Sequence, residues 1–432
     1  MRKNKVDFIT LGCSKNLIDS EQLMSQFRLN GYTVAHDPEK VNGEIVVVNT
    51  CAFISDAREE SVRLILGLEE AKKKGRIGQL YVMGCLSERY MVELKKELPG
   101  VDKFYGKFNW KELIRDLGKS YNDASAADRI LTTPAHYAYL KISEGCDRTC
   151  AYCSIPLITG RHRSRPAEEI LAEARRLTDK GVRELQLVAQ DLTYYGLDLY
   201  QKAALPELVE RLSDIPRVEW IRLHYGYPAH FPYELLRVMR ERENVCRYMD
   251  IALQHISNPM LQKMRRNISK QETYELIERI RGEVPGIHLR TTLMVGHPGE
   301  TEGDFEELVQ FAKDIRFERM GAFAYSHEEG TYAGEHYADD VPEAVKQDRL
   351  DYLMHIQERI SLELNEAKTG KTFQTMIDRE EDDYYMGRTE FDSPEVDPEL
   401  LVSKEKKMVP GHFYPVKIKS VEAFELYGEM LN

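Results

Sequence analysis

Short β-branched runs and longer stretches of helical spacing take turns along the first hundred residues of this 432-residue chain. Val6–Leu11, Glu44–Val48 and Gln79–Met83 have the composition and length of strands. A helical pattern follows each one: Glu21–Leu29 with Asp19 or Ser20 as its cap, Ser55–Lys74, and Ser87–Leu98. Strands alternating with helices predict βαβ units and a parallel sheet.

Around Ser120–Thr133 the pattern lapses into small polar residues, which predicts a linker. Strand signals then recur with helices between them, at Ala138–Ile142, Glu184–Ala189, Glu219–Leu223, Tyr248–Leu253, His288–Met294 and Arg319–Tyr325. Six βα repeats predict an open, partial barrel of parallel strands. A long charged helix covers Pro342 to about Ala367. Five short strands follow, at Thr372–Asp378, Tyr384–Glu390, Glu399–Val402, Phe413–Val421 and Phe424–Met430, and predict a small β-barrel. The expected fold class is α/β. It comprises an N-terminal doubly wound parallel-sheet domain (1–122), a central partial (β/α)6 barrel (133–365) and a small antiparallel β-barrel (366–432).

Composition narrows the function. No apolar run approaches the roughly 18 residues of a membrane helix. The start, MRKNKVDFITLGC, is too short and too quickly structured for a signal peptide. A cytoplasmic protein with no membrane partner is expected. Seven cysteines, an odd number in a reducing compartment, argue for metal or redox chemistry over a disulfide framework. A net charge of −12 argues against nucleic acid as the primary substrate and suits a basic partner such as a ribosomal protein. From Glu366 to the end there are 15 Asp and Glu against 9 Lys and Arg. An RNA-binding barrel is ordinarily basic, so this acidity points the same way.

Six of the cysteines form two sets of three. Cys146, Cys150 and Cys153 make a tight CxxxCxxC, just after the first strand of the expected barrel. Cys13, Cys51 and Cys85 are scattered, yet each follows the carboxyl end of an expected strand. Ligands of parallel sheets sit outside those ends, so distance in sequence is no obstacle to convergence. Three thiolates can hold three irons of a 4Fe–4S cubane and leave the fourth open, whereas full ligation takes four cysteines. The alternative is a zinc knuckle or packing thiols. Zinc sites, however, come as CxxC pairs or with histidine at set spacing, and the nearest histidine, His162, lies among Arg161, Arg163 and Arg165. Those arginines read either as a solvated stretch or as anion-orienting groups. Cys246 stands apart and reads as a packing thiol. Gln190 and Asp191 end the second barrel strand and Gln254 the fourth, where polar residues read as site residues.

The segment YLKISEGCDRTCAYCSIPLITGRHRSR resembles the radical SAM superfamily, and within it the methylthiotransferases. The resemblance implies that Cys146, Cys150 and Cys153 bind a 4Fe–4S cluster whose open iron takes S-adenosylmethionine (SAM). One electron then cleaves SAM to a 5′-deoxyadenosyl radical. LGCSKNLIDSE, VNTCAFI and MGCLSE resemble the N-terminal domain of these enzymes, where Cys13, Cys51 and Cys85 would bind an auxiliary 4Fe–4S cluster. The last five strands resemble a TRAM domain. TTLMVGHPGET at Thr291–Thr301 resembles the superfamily's stretch near the adenine and ribose of SAM, which implies cofactor roles for Gly296 and Glu300, and Tyr152 is implied to pack near the adenine.

Lys15-Asn16-Leu17, RLHYGYP at Arg222–Pro228 and DIALQH at Asp250–His255 resemble the RimO branch, which modifies an aspartate of small-subunit ribosomal protein twelve. Ala252 and His297 stand where that branch tends to carry proline and phenylalanine. The resemblance implies two SAM molecules per product, one methylating a sulfide on the auxiliary cluster and one yielding the radical that takes a hydrogen from the aspartate β-carbon. An external reductant and a sulfur donor are implied partners. An unactivated C–H bond has no usable acidity, which accounts for the lack of a persuasive Ser–His–Asp or paired-carboxylate set. The rival readings are a tRNA adenosine methylthiotransferase and a non-catalytic iron–sulfur ribosome-binding factor.

Overall fold

Residues Gly43–Thr50 are apolar on both sides, and that decides their place in the first sheet. In the computed structural model, which describes residues 1–123 and 128–431, they form its central strand. The sheet contains β1 (Arg2–Thr10), β2 (Thr33–His36), β3 (Gly43–Thr50), β4 (Gln79–Gly84) and β5 (Lys103–Phe104), in the order β2-β1-β3-β4-β5 with every pair parallel. Val46 and Val48 pack on one face with Ile65, Leu80 and Val82, while Ile45 and Val47 pack on the other with Phe8, Leu23 and Phe27. Burial on both faces is the normal state of a parallel strand. The helices α1 (Ser14–Leu29), α2 (Ser55–Lys73), α3 (Cys85–Glu97) and α4 (Glu112–Asp116) accompany this sheet. Strand order reverses between β1 and β3, the place where such sheets bind ligands.

Two helix starts differ from expectation. α1 begins at Ser14 and has Cys13 as its N-cap, so Asp19 and Ser20 lie inside it, both buried. α3 begins at Cys85 and carries a kink at Tyr90. Both polar residues make internal contacts instead: Asp19 accepts from Lys107 Nζ at 3.1 Å, and Ser20 Oγ accepts from Thr10 Oγ1 at 2.8 Å and from Asn49 Nδ2 at 3.0 Å. The edge strands β2 and β5 were not expected, because four and two residues hold too little pattern. Residues 124–127 of the expected linker lie outside the described residues.

The second sheet has six parallel strands in an open arrangement. They are β6 (Tyr137–Lys141), β9 (Glu184–Val188), β10 (Trp220–Gly226), β11 (Val245–Ile251), β12 (His288–Val295) and β13 (Arg319–Ala324), in the order β13-β12-β11-β10-β9-β6. The two-residue segments β7 (Ser143–Glu144) and β8 (Arg163–Ser164) flank the CxxxCxxC loop and the helix α5 (Ile155–Thr159) that follows it. A 24-residue helix, Glu343–Glu366, precedes a closed five-stranded barrel. Its strands are β14 (Thr372–Glu380), β15 (Tyr384–Arg388), β16 (Glu399–Ser403), β17 (Phe413–Val421) and β18 (Glu425–Met430). The barrel is antiparallel except at β16–β18, which pair in parallel and close it.

The chain folds as two compact units. One comprises residues 1–133 with 144–148 and 153–162, and the other comprises 134–143, 149–152 and 163–432. Among the described residues no helix is long and apolar enough to cross a membrane.

Within the second unit the barrel joins the six-stranded sheet through buried ion pairs. Glu184 takes Arg222 at 2.9 Å and Arg388 at 2.7 Å, and Arg388 also reaches Asp378 at 2.5 Å, which pairs with His136 at 2.7 Å. Asp392 holds Arg319, Asp397 accepts from the Tyr248 hydroxyl, and Glu395 accepts from Tyr137 and Tyr139. Four of the fifteen acidic residues of the C-terminal segment, Asp378, Asp392, Glu395 and Asp397, are thus matched within the second unit.

Candidate active site: two cysteine triads

The dispersed triad assembles where β1, β3 and β4 end. Cys13 caps α1, Cys51 follows Thr50, and Cys85 opens α3. Asn16, 1% exposed, is the hub between them. Its amide donates to Leu11 O at 3.2 Å and to Thr50 O at 3.0 Å, and its Oδ1 accepts from the Cys85 thiol at 3.6 Å. Its own carbonyl accepts from Asn49 Nδ2 at 2.8 Å. One side chain therefore touches the ends of two strands and one of the thiols.

Glycine precedes two of these cysteines for a steric reason. Gly12 has φ +93°, and a Cβ there would lie 2.9 Å from Cys51 Cβ and 3.0 Å from its sulfur. Gly84 has φ +101°, and a Cβ would meet Thr50 O at 2.7 Å. Only glycine suits a backbone of that hand with neighbours so close.

The three thiols sense one another. Burial would raise the Cys13 pKa, but Lys15 and Lys107 outweigh it and hold the thiol below its ordinary value. Cys51 is raised by burial and by its neighbour Cys13. Cys85 is pushed up to about 12 by burial, with Cys13 and Cys51 adding to the shift against Lys107. A buried thiolate needs a positive ion beside it, and three mutually repelling thiols need one most.

The compact triad divides between the two units. Cys146 and Cys153 count with the first, and Cys150 with the second. In the first, Cys146 N donates to Gly160 O at 3.1 Å, the Arg148 amide donates to Cys146 Sγ at 3.4 Å, and Ile158 of α5 enters the core around Val46 and Leu80. In the second, Ala151 is fixed by backbone bonds to Met264 O at 2.9 Å and from Ala333 N at 2.7 Å. Arg266, 3% exposed, donates through Nη1 to Cys150 Sγ at 3.2 Å and to the Tyr152 hydroxyl at 3.4 Å. Its guanidinium lies 4.2 Å from the Tyr227 ring centroid.

The other expected site residues all fall in the second unit. Tyr152 packs with Ala151, Met264, Met294 and Tyr325. Gln190 is half-buried. Asp191 is buried and caps a short turn, accepting from Thr193 N at 2.9 Å and Thr193 Oγ1 at 2.6 Å. Gln254 follows β11 with φ +71°, and its Oε1 is buried without a protein partner among the described residues. Gly296 N donates to Glu300 Oε2 at 2.8 Å. Glu300 also takes Arg349 at 2.6 Å and His255 at 3.1 Å, so both its oxygens are engaged within the protein. It braces the turn after β12. His297 lies between Tyr325 and Tyr337, ring centroids 5.2 and 6.0 Å away, and burial pulls its pKa down to about 4. Arg165 pairs with Glu173 at 2.7 Å and donates to Lys141 O at 2.6 Å, so it serves the fold. Cys246 is fully buried inside β11 beside Trp220 and Tyr248, as a packing thiol.

Comparisons with known proteins agree along the whole length. The radical SAM superfamily model matches residues 140–312, the uncharacterized protein family UPF0004 model matches 5–106, and the TRAM domain model matches 369–431. The ribosomal protein uS12 methylthiotransferase RimO of Parabacteroides distasonis is 72% identical over 432 residues, covering 100% of both chains. The chain belongs to the RimO family. RimO proteins of Porphyromonas gingivalis and Flavobacterium johnsoniae are 66% and 50% identical, covering 100% of both chains and 99% and 98% of the two chains respectively. Among solved structures, the radical S-adenosylmethionine methyltransferase TsrM from Kitasatospora setae matches with a TM-score of 0.56 at 14% identity over 77% of each chain, a likeness of fold.

RimO chemistry rests on two 4Fe–4S clusters and SAM, and the donor sets fit them. Among the described residues, no three His, Cys, Asp or Glu side chains close on one point as ligands of a single ion do. Thiolates on three separate corners of a cubane stand further apart than that. The buried, unpartnered Gln254 Oε1 is an acceptor suited to a cationic amino group such as that of SAM. Arg266, Asn16 and Arg349 were not singled out from sequence as site residues. Their importance comes from partners more than thirty residues away, for which no local pattern exists.

Proposed function

We propose that this chain is a radical SAM methylthiotransferase that adds a methylthio group to the β-carbon of an aspartate in ribosomal protein uS12. Full-length kinship to RimO proteins carries the reading, and two cysteine triads at the carboxyl ends of parallel strands support it. In this reading Cys146, Cys150 and Cys153 hold the SAM-binding cluster, and Cys13, Cys51 and Cys85 hold the auxiliary cluster. When bound, these groups supply one-electron cleavage of SAM and a transferable sulfur, which protein side chains cannot provide.

The chain's own residues then do four things. Arg266 donates to Cys150 and is stacked on Tyr227. Tyr152 and Gln254 line the SAM side, with Gln190 and Asp191 after the end of β9. Glu300, locked to Arg349 and His255, holds the turn that starts at Gly296. Asn16 keeps the auxiliary thiols in register. An external reductant and a sulfur donor complete the reaction. We assign these roles to three segments, 1–122, 133–365 and 366–432.

The test is anaerobic reconstitution with iron and sulfide, followed by SAM, reductant and a uS12 peptide. The expected result is about eight irons per chain and a peptide heavier by a methylthio group in mass spectrometry. Four irons, or methylthiolated tRNA with an unmodified peptide, would overturn the reading.

A further inference from the structure

Lys107 is a lysine that the fold has taken almost entirely out of water. It is 3% exposed, just past the last strand of the first sheet. Its ammonium lies 3.1 Å from Asp19 Oδ2 and 3.7 Å from Glu144 Oε2, and its backbone N–H donates to Glu88 Oε2 at 2.7 Å. All of these residues belong to the first compact unit.

The two carboxylates come from two different cysteine-bearing segments. Asp19 is on α1, the helix that Cys13 caps. Glu144 stands two residues before Cys146. A buried ammonium held by carboxylates from both segments fixes the distance between them, because a buried ion pair tolerates little displacement before its desolvation is uncompensated. Beyond Cys153 the same loop is fastened a second time, by Ile158 in the core of the first sheet.

We propose that Lys107 is a positioning residue that joins the auxiliary triad to the segment bearing Cys146, through Asp19 and Glu144, and so sets the spacing across which the methylthio group is delivered. The role rests on the ligand sets proposed above. It predicts a particular defect. An enzyme without the bridge keeps both sets of thiols, cleaves SAM, and delivers the resulting radical to a substrate whose sulfur source is out of place. A misplacement on the order of 1 Å can cost about a hundredfold in a reaction of this kind.

The experiment compares reconstituted full-length wild type with Lys107→Met, Lys107→Arg and Glu144→Gln. Three quantities are read: iron per chain, deoxyadenosine formed per methylthiolated uS12 peptide, and cluster–cluster dipolar coupling by pulsed EPR. The expected result is unchanged iron and SAM cleavage in Glu144→Gln, and unchanged SAM cleavage in Lys107→Met, where iron at the auxiliary triad falls because the cation beside Cys13 is gone. Deoxyadenosine per product should rise about tenfold or more, and the dipolar coupling should weaken or broaden. Lys107→Arg should stay near wild type. Wild-type ratio and coupling in both neutral variants would overturn the proposal. So would loss of auxiliary iron in Lys107→Met with a wholly normal Glu144→Gln, since Lys107 would then only stabilise the fold. If wild type itself cleaved no SAM, the functional reading would fail, while the EPR distance would still judge Lys107.

Discussion

Arg266 Nη1 lies 3.2 Å from Cys150 Sγ and donates to it. Hydrogen bonds to ligating sulfur draw electron density from a cluster and raise its potential. Arg266→Met should therefore lower the midpoint potential of the cluster proposed at Cys150, make its reduction by the external donor harder, and so slow deoxyadenosine formation by about tenfold or more where that reduction limits the rate. Arg266→Lys, which keeps the charge without the fork of donors, should fall between. Potentiometry followed by EPR reads the shift, and an unchanged potential would remove Arg266 from the site.

The two triads should fail differently. Cys150→Ala should abolish deoxyadenosine. Cys51→Ala should spare it, abolish methylthio transfer and lower iron by about four per chain. Full product yield from Cys51→Ala would refute the auxiliary role.

Asn16→Ala removes donors from the carbonyls of Leu11 and Thr50 and an acceptor from Cys85. Stranding buried carbonyls costs about 1–3 kcal/mol each. Thermal unfolding should come earlier, and auxiliary iron should leach faster than iron at the compact triad under a chelator.

Glu300→Gln removes the buried charge partner of Arg349 and leaves it only the exposed Glu302 at 3.1 Å, a change that costs about 1–3 kcal/mol. Because Glu300 braces the turn after β12 and its oxygens are already taken, the KM for SAM should rise more than kcat falls in the protein that still folds. A kcat effect alone would mean direct involvement in the chemistry.

The barrel's seating should be acid-labile. Burial pushes the Asp378 carboxyl up, but Arg388 and His136 outweigh it and hold it at about 2. A depressed carboxyl pKa stabilises fully above the unfolded value, near 3.8, and the benefit is lost as pH falls towards 2. Stability on the order of 2 kcal/mol should disappear across that window. Asp378→Asn should flatten this part of the pH profile, measured by denaturant unfolding between pH 5 and pH 2.

Much of this arrangement was legible in the sequence. The nine strands of β1, β3 and β4 with the six of the second sheet show as apolar runs because parallel strands are buried on both faces, and a cysteine directly after such a run falls where these sheets bind ligands. The start of α1 was not legible: Cys13 caps it without a side-chain hydrogen bond, so no Ser or Asp marks the place. Asp19 looked like a cap, yet it faces Lys107, 88 residues on. Glu300 stands in a stretch whose resemblance implies a cofactor role, and its pairing with Arg349, 49 residues on, has no local sequence signal. Within the acidic C-terminal segment, Asp392 and Asp397 are held by Arg319 and Tyr248 of the six-stranded sheet, and no count of charges reveals that. Charge counts see net composition; they do not see which charges are already matched.

Gly12 and Gly84 carry a lesson for anyone who would transplant the auxiliary site. Three thiols grafted onto the strand ends of another sheet of this order would not reproduce it. With any other residue ahead of Cys13 or Cys85, the chain must swing away from Cys51 or from Thr50, and the sulfurs it carries swing with it. The portable unit is the Gly-Cys dipeptide, and a design library that holds those glycines fixed while varying the surrounding helices should retain cluster assembly far more often than one that fixes the cysteines alone.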